Sequence, residues 1–432
     1  MIHVTVSGSG SELQGVARLE DGRAVFIPGA LPGEEAEIEI TRQKDRYAEA
    51  RLLRVLTPSP ERVPPDCPCY ESCGGCQARH MRYEEALRLK REKVVSALAR
   101  LGGVKDPLVE ETVPSPQISC YRNKAEFTCS GGRVGMVAED GRQVLDAEKC
   151  LLHPDAVNAL IAFLRPRLKS LPVERVVTRV NASGEMMLVL SSRTPADLTA
   201  LAKDAADAFG MLKSVYFCRL RPRFVHALDG ECSRILGTER LSEILCGLDF
   251  TLSPRSFFQV NRPCAELLYQ KALEMAALSD TDRAADIYCG AGTISLCAAR
   301  RCAHVTGIEL VKEAIWDARL NAESNGLSGR TEFIAGDAAL EYPRLSARRR
   351  FDAVIVDPPR KGLDRPVTEA LIRSPARRLV YVSCDQATLA RDIRLLTESG
   401  AYRFEKAVPV DMFPGTSHVE SVCKLIRSDM NS

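Results

Sequence analysis

Cys384, in the stretch 381-YVSCDQATLARD-392, is the residue with the most reactive chemistry in reach. The run 377-RRLVYV-382 before it reads as a short apolar strand, and the residues from Thr388 onward open a helix with apolar positions at Leu389, Ile393 and Leu396. A thiol at the carboxyl end of a strand, just ahead of a helix, sits where open α/β sheets place their ligands. The nearby helix amino end favours thiolate over thiol. A buried structural cysteine fits the same stretch, since free Cys is among the most buried residue types.

The use of such a nucleophile follows from what needs one. A nitrogen or oxygen that receives a methyl group already has a lone pair, whereas carbon 5 of a pyrimidine does not. A thiolate adding to carbon 6 makes carbon 5 enolate-like and able to attack a methylsulfonium; a base then removes the carbon 5 proton and the thiol leaves. Glu420, in 411-DMFPGTSHVES-421 just before a strand at 421–426, is the candidate base, with His418 as the alternative. The target base must leave its stack to reach either group.

A second set of reactive residues lies in 67-CPCYESCGGCQARH-80. Cys67, Cys73 and Cys76 are spaced C-x5-C-x2-C, and Gly74-Gly75 lets the backbone curl two thiolates towards one centre. Three clustered cysteines need a fourth ligand. Cys150, in 149-KCLLHP-154, is the best candidate, ahead of Cys69, His80, Cys120 and Cys129. Four such ligands hold zinc or an iron–sulfur cluster, and the irregular three-plus-one spacing leans towards the cluster.

The elements that must position these groups follow from the rhythm of the chain. From residue 251 strands and helices alternate, which implies a parallel, doubly wound sheet. Strand 283-RAADIY-288 ends in 289-CGAGT-293, a Gly turn opening a helix at 294–299, and the next strand, 303-AHVTGIE-309, closes on Glu309. Such a turn lets the backbone approach a nucleotide while the acid accepts ribose hydroxyls. It is too short for a pyrophosphate cradle, as expected if the ligand is S-adenosylmethionine. Gly336-Asp337 after strand 331–334 fits an adenine contact, and 352-DAVIVDPPR-360 brings Asp357 to the ligand edge. Gln259, in 253-SPRSFFQVN-261, could line the pocket, and Asn261 caps the helix that follows.

Upstream, residues 1–58 read as a small β module. Short strands with Gly and Pro turns, such as 34-EEAEIEI-40 with Ala36, Ile38 and Ile40 on one face, suit a five-stranded barrel of oligonucleotide-binding type or a structural, dimerising β module. Residues 59–250 read as α+β: a Pro-rich linker, a helix at 84–104 with a Leu87, Val94, Leu98 and Leu101 stripe, and a hairpin over 173–192 turning at Ala182-Ser183-Gly184. Arg88, Lys90, Arg91 and Lys93 are expected on that helix's solvated face. Arg219, Arg221 and Arg223 with Tyr216, Phe217 and Phe224 make the strand at 214–225 a candidate platform for single-stranded RNA.

At 432 residues the chain holds two or three domains, and 45% hydrophobic with 27% charged residues is a globular balance. A net charge of +2 means any RNA-binding surface is local. No apolar run approaches membrane-spanning length. Sixteen cysteines and no signal-peptide pattern point to a reducing compartment, hence a cytoplasmic protein without membrane contact.

Taken together, these residues resemble the RNA uracil-5-methyltransferase family, in the branch with an amino-terminal TRAM barrel and an iron–sulfur cluster, as in bacterial 23S ribosomal RNA enzymes. The likeness spans nearly the whole chain: G-V-A-R and V-F-I-P-G-A-L-P-G-E, C-G-G-C, S-F-F-Q-V-N, D-I-Y-C-G-A-G, D-P-P-R, S-C-D-Q-A-T-L-A-R-D, and F-P-G-T-S-H-V-E. It implies an OB-like TRAM β-barrel at 1–58, a central α+β iron–sulfur and RNA-binding domain at 59–250, and a Rossmann-like class I methyltransferase domain at 251–432. It further implies a [4Fe–4S] cluster on Cys67, Cys73, Cys76 and Cys150, S-adenosylmethionine contacts from Gln259, Tyr288, Thr293, Glu309, Asp337 and Asp357, Cys384 as nucleophile and Glu420 as proton acceptor. The expected partner is 23S rRNA, alternatively tRNA, bound by a monomer; simpler tRNA members lack both barrel and cluster. Two departures stand out. Asp385-Gln386 replaces the family's common Asn-Pro, which should raise the thiol's pKa unless Asp385 points away and leaves an RNA-binding member with weakened catalysis as an alternative. Cys69 is an extra thiol inside the cluster motif.

Overall fold

A computed structural model describes residues 1–139, 141 and 143–429. The amino-terminal module has six strands, Ile2–Thr5, Gly8–Ser9, Gly15–Arg18, Ala24–Ile27, Glu35–Gln43 and Tyr47–Thr57, in the sheet order first, fifth, sixth, fourth, third, second. The additional strand beyond the expected five is the two-residue Gly8–Ser9. The alternation in 34-EEAEIEI-40 sends Ala36 and Ile38 inward, where they pack with Val25, Ile27 and Ala48. The Ser7 amide donates to the Val16 carbonyl at 2.8 Å, curling the end of the first strand onto the third.

The middle of the chain builds a seven-stranded sheet on which helices Asp155–Leu168 and Thr199–Ala208 pack through Leu160, Leu164, Ala202 and Ala205. The expected hairpin is there, Arg175–Val180 against Met186–Ser192. The expected basic and aromatic platform is not. Its strand ends at Leu220, so Arg221, Arg223 and Phe224 lie beyond it. Tyr216 is buried with its hydroxyl donating to the Glu239 carbonyl at 2.7 Å, Phe217 packs against the domain core, and Phe224 sits beneath the guanidinium groups of Arg175 and Arg193. Successive side chains on a strand point to opposite faces, and here the aromatic ones are taken up in packing while Arg219, Arg221 and Arg223 stay exposed.

The carboxyl-terminal sheet runs Thr331–Ala335, His304–Glu309, Arg283–Ile287, Ala353–Val356, Arg378–Ser383, Glu420–Arg427, Tyr402–Val410. The first five are parallel, and Glu420–Arg427 is antiparallel to both its neighbours. Helices cover both faces, which is why strands such as 353-AVIV-356 are wholly apolar. The order reverses between Arg283–Ile287 and Ala353–Val356, so the crevice for a ligand opens at the carboxyl ends of those two strands.

Helix Tyr83–Arg100 ties the parts together. Val94 and Leu98 are buried as expected, but Leu101 is exposed, and the buried face includes Glu85, Ala86, Leu89 and Lys90. Lys90 is therefore not on a solvated face: it is 0% exposed, and its Nζ meets Asp411 Oδ1 at 2.5 Å. The helix packs on Gln386–Glu398, and Val94, Leu98 and Val109 share the core of the carboxyl-terminal sheet. Position 250 itself falls inside strand Leu248–Leu252.

Candidate active site

Gln259, Tyr288, Thr293, Glu309, Asp337 and Asp357 line the same cavity as Cys384 and Glu420, a space of about 1250 Å³ at the carboxyl ends of the parallel strands. At its cofactor end, the chain leaves strand Arg283–Ile287 through three left-handed residues, Tyr288 (φ 69°), Gly290 (φ 54°) and Gly292 (φ 80°). A non-glycine residue in this region costs of order 1–3 kcal/mol and persists only where the surroundings enforce it. The Tyr288 and Cys289 amides both donate to the Ile308 carbonyl and hold the turn down. Gly307 lets the layers close: a Cβ there would lie 2.7 Å from the Phe333 ring and 2.9 Å from Cys289 Sγ. Glu309 is fixed by two backbone amides, accepting from Gly290 at 3.2 Å and from Val311 at 2.8 Å. The Asp337 carboxylate caps helix Ala338–Ser346 through the Ala339 amide at 2.9 Å, and the Thr293 hydroxyl meets that of Tyr269 at 3.0 Å.

The loop carrying Gln259 is gripped from the middle of the chain. Asn123 Nδ2 donates to the Gln259 carbonyl at 3.0 Å, and buried Arg179 donates to the Ser256 carbonyl at 2.5 Å. Asn261 caps helix Arg262–Ala276, accepting from the Cys264 amide at 3.3 Å.

At the reaction end, strands Arg378–Ser383 and Glu420–Arg427 pair out to Ser383 opposite Ser421. Cys384 is the next residue on one strand and Glu420 the preceding one on the other, so the thiol and the acid end opposite one another. Glu420 is 5% exposed, while His418 lies exposed at the cavity rim; the acid is the better placed of the two candidate bases.

The electrostatics bear on two expectations. Asp385 turns away from the thiol and caps helix Gln386–Glu398, its Oδ1 accepting from the Ala387 and Thr388 amides at 3.1 and 2.9 Å. The helix amino end is thereby already complemented by a carboxylate, and the Cys384 thiol is not eased towards thiolate. Burial, then the charges of Glu420 and Asp357, push it up to about 11, with Arg360 opposing. Burial and Asp357 push Glu420 up to about 8, and burial and Asp286 push Asp357 up to about 7. Asp286 itself rises to about 6 through burial; its Oδ2 accepts from the Ser295 hydroxyl at 2.5 Å, while Oδ1 has no partner among the described residues. Several buried acids and an orphaned carboxylate oxygen around one cavity suit a cationic ligand, and the sulfonium and ammonium groups of S-adenosylmethionine meet that demand. Arg360 and Asp286 were not among the residues singled out from the sequence, although both stand inside motifs that were.

Cys67, Cys73, Cys76 and Cys150 are all half-buried. The Cys73 amide donates to the Cys69 carbonyl at 2.8 Å, and at Gly75 a Cβ would come within 3.3 Å of Cys73 Sγ. The Cys76 thiol is raised by burial and by the charges of Cys150 and Cys73; the Cys150 thiol by burial and by those of Cys73 and Cys67. The four thiols thus share one neighbourhood, with Cys69 beside Cys67 and Cys73. Among the described residues, however, no three His, Cys, Asp or Glu side chains are drawn together tightly enough to hold a metal ion. An all-thiol donor set is that of a soft-metal or iron–sulfur site. Of the other candidates for fourth ligand, buried His80 bonds the Tyr70 hydroxyl at 2.6 Å, Cys129 lies within strand Lys124–Ser130, and exposed Cys120 donates its amide to the carbonyl of Leu151, the residue after Cys150, at 2.8 Å.

Residues 246–428 match the family model described as tRNA (uracil-5-)-methyltransferase, and residues 1–53 match the TRAM domain. An uncharacterized RNA methyltransferase of Halalkalibacterium halodurans is 35% identical, covering 98% of this chain and 96% of its own. Another, from Bacillus cereus, is 36% identical over 96% of this chain and 94% of its own. Among crystal structures, a tRNA (uracil-54, C5)-methyltransferase of Pyrococcus abyssi in complex with S-adenosyl-L-homocysteine superposes with a TM-score of 0.77 at 27% identity, covering 98% of this chain and 100% of that one.

Proposed function

The chain belongs to the RNA uracil-5-methyltransferase family, a S-adenosylmethionine-dependent group, and we propose that it methylates carbon 5 of a uridine in 23S ribosomal RNA. The observation that carries the chemistry is the placing of Cys384 and Glu420 at facing strand ends inside the cofactor cavity. Methylation of nitrogen or oxygen needs no such pair.

In this reading Cys384 Sγ, as thiolate, bonds to uridine carbon 6 and pushes electron density onto carbon 5. After carbon 5 gains its methyl group, Glu420 takes the carbon 5 proton, and the carbon–sulfur bond breaks to release product and regenerate the thiolate. S-adenosylmethionine, held by Gln259, Tyr288, Thr293, Glu309, Asp337 and Asp357, supplies the methyl group as an electrophilic sulfonium. Arg360 at the rim offsets the negative charge that Glu420 and Asp357 place on the thiol.

The proposed preference for 23S rRNA rests on the long, ordered motifs shared with the ribosomal branch and on the cysteine set at 67–76 and 150. The Pyrococcus abyssi match favours tRNA as a second reading. Its full-length coverage means that a TRAM barrel accompanies an enzyme named for tRNA, so the barrel does not separate the two substrates. We also propose a [4Fe–4S] cluster on Cys67, Cys73, Cys76 and Cys150, the three-part division near residues 58 and 250, a monomer, and residence in the cytoplasm.

Transfer of a labelled methyl group to unmodified 23S fragments beside bulk tRNA, with the product position mapped, tests the substrate. Label at uridine carbon 5 of 23S RNA supports the proposal, label in tRNA alone moves it to the second reading, and no label in either sinks both. Protein purified without oxygen should be brown with a visible iron–sulfur absorption band; a colourless protein with one zinc would remove the cluster.

A further inference from the structure

Where the family commonly has Asn-Pro after the nucleophile, this chain has Asp385-Gln386. Asp385 does what Asn also does at a helix start. Gln386 does what proline cannot. Its side chain is buried, and both ends of its amide are bonded: Nε2 donates to the Val419 carbonyl at 2.9 Å, and Oε1 accepts from the Ser421 hydroxyl at 2.9 Å. Val419 and Ser421 are the two neighbours of Glu420. One side chain, two residues past the thiol, therefore holds the chain on either side of the acid.

The position matters because strand pairing stops at Ser383–Ser421. Glu420 is still paired with Val410 on its far side, but towards Cys384 no ladder pair follows that couple, and the amide of Gln386 is the next cross-link from the nucleophile's side. We infer that Gln386 is a positioning residue that sets the Glu420 carboxylate against the thiol of Cys384. The inference rests on the roles proposed above for those two residues.

Proton removal comes after thiol addition and methyl transfer, so a displaced base has a particular signature. Gln386→Ala should lower kcat about tenfold to a hundredfold, the scale of a misplacement near 1 Å, while KM for RNA and cofactor stays within about twofold. Unmodified RNA should then accumulate as a covalent, methylated adduct on denaturing gels, as it should with Glu420→Gln. A kcat near the unaltered enzyme's, or lost activity without adduct and with a raised KM, overturns the inference in favour of a packing role. If Gln386→Ala does not fold, Ser421→Ala removes one bond from the other side. Adduct accumulation there supports the inference, and unchanged kcat without adduct defeats it. Cys384→Ala with RNA carrying 5-fluorouridine separates the levels: an adduct in that variant refutes the proposed nucleophile, whereas its loss alongside normal turnover in Gln386→Ala refutes the positioning role alone.

Discussion

At the scale of single residues, the site is defined by groups held away from their ordinary protonation. Glu420 at about 8 is largely protonated at neutral pH in the unliganded protein, and only its carboxylate form can accept a proton. With Glu420 at about 8 needed as carboxylate and the Cys384 thiol at about 11 needed as thiolate, kcat should rise with pH through 8 and keep rising above it. A profile that falls over the same range would remove Glu420 as base. The same shift has a stability consequence. A carboxyl group whose folded pKa lies above its unfolded value destabilises the fold progressively as pH rises from the ordinary carboxylate range through the folded pKa. Glu420→Gln removes that penalty, so its stability gain over the unaltered protein should be small near pH 5. It should grow by up to roughly 1.4 kcal/mol per pH unit towards pH 8. Urea unfolding at several pH values, without cofactor, measures it; a gain independent of pH would mean the carboxyl is not held protonated.

At the scale of elements, the parallel half was legible because its signals are local. Apolar runs such as 353-AVIV-356 and Gly turns such as 289-CGAGT-293 sit next to the groups they position, so the cavity residues could be named from the sequence. Contacts between distant segments left no such mark. Helix Tyr83–Arg100 presents Lys90 where periodicity suggested solvent, because its partners, helix Gln386–Glu398 and the loop from Asp411, lie some three hundred residues on. The strand with Tyr216 was misjudged for the same reason, as side chains that suit RNA suit a core equally well. Lys90 and Asp411 form an ion pair with both side chains at 0% exposure. Lys90→Met leaves the Asp411 carboxylate buried and unpaired, and should cost about 3–5 kcal/mol. Adding Asp411→Leu should restore most of that loss, since two apolar groups no longer need each other's charge. If the single variant is as stable as the starting protein in urea, the pair does not anchor this helix.

At the scale of the whole molecule, the separate parts converge on one loop, 412–419, which leads directly into Glu420. The β module reaches it through Glu12, which accepts from the Ser417 hydroxyl at 2.6 Å. The cysteine segment reaches it through the Gln77 and Ala78 amides, both donating to the Gly415 carbonyl at 3.0 Å, and through Gln77 Oε1, which accepts from the Ser417 amide at 3.2 Å. Tyr121 donates to the Pro414 carbonyl at 3.0 Å, and Lys90 and Lys93 donate to the carbonyls of Phe413 and Ser417 at 3.1 and 3.0 Å. Gln77 follows Cys76 directly, so whatever orders the cysteines also orders the contact to Gly415. Cys76→Ser, which withdraws one proposed ligand, should therefore loosen a loop that the cysteine does not itself belong to. The check is amide hydrogen exchange on protein prepared without oxygen. Faster exchange across 413–419, with strand Arg378–Ser383 as protected as before, would show the cysteine segment bracing the base loop. Exchange that quickens only within 67–80 would mean that the loop's other contacts, from the lysines, Tyr121, Glu12, Asn261 and Gln386, suffice to hold it, and that the cysteines serve another surface.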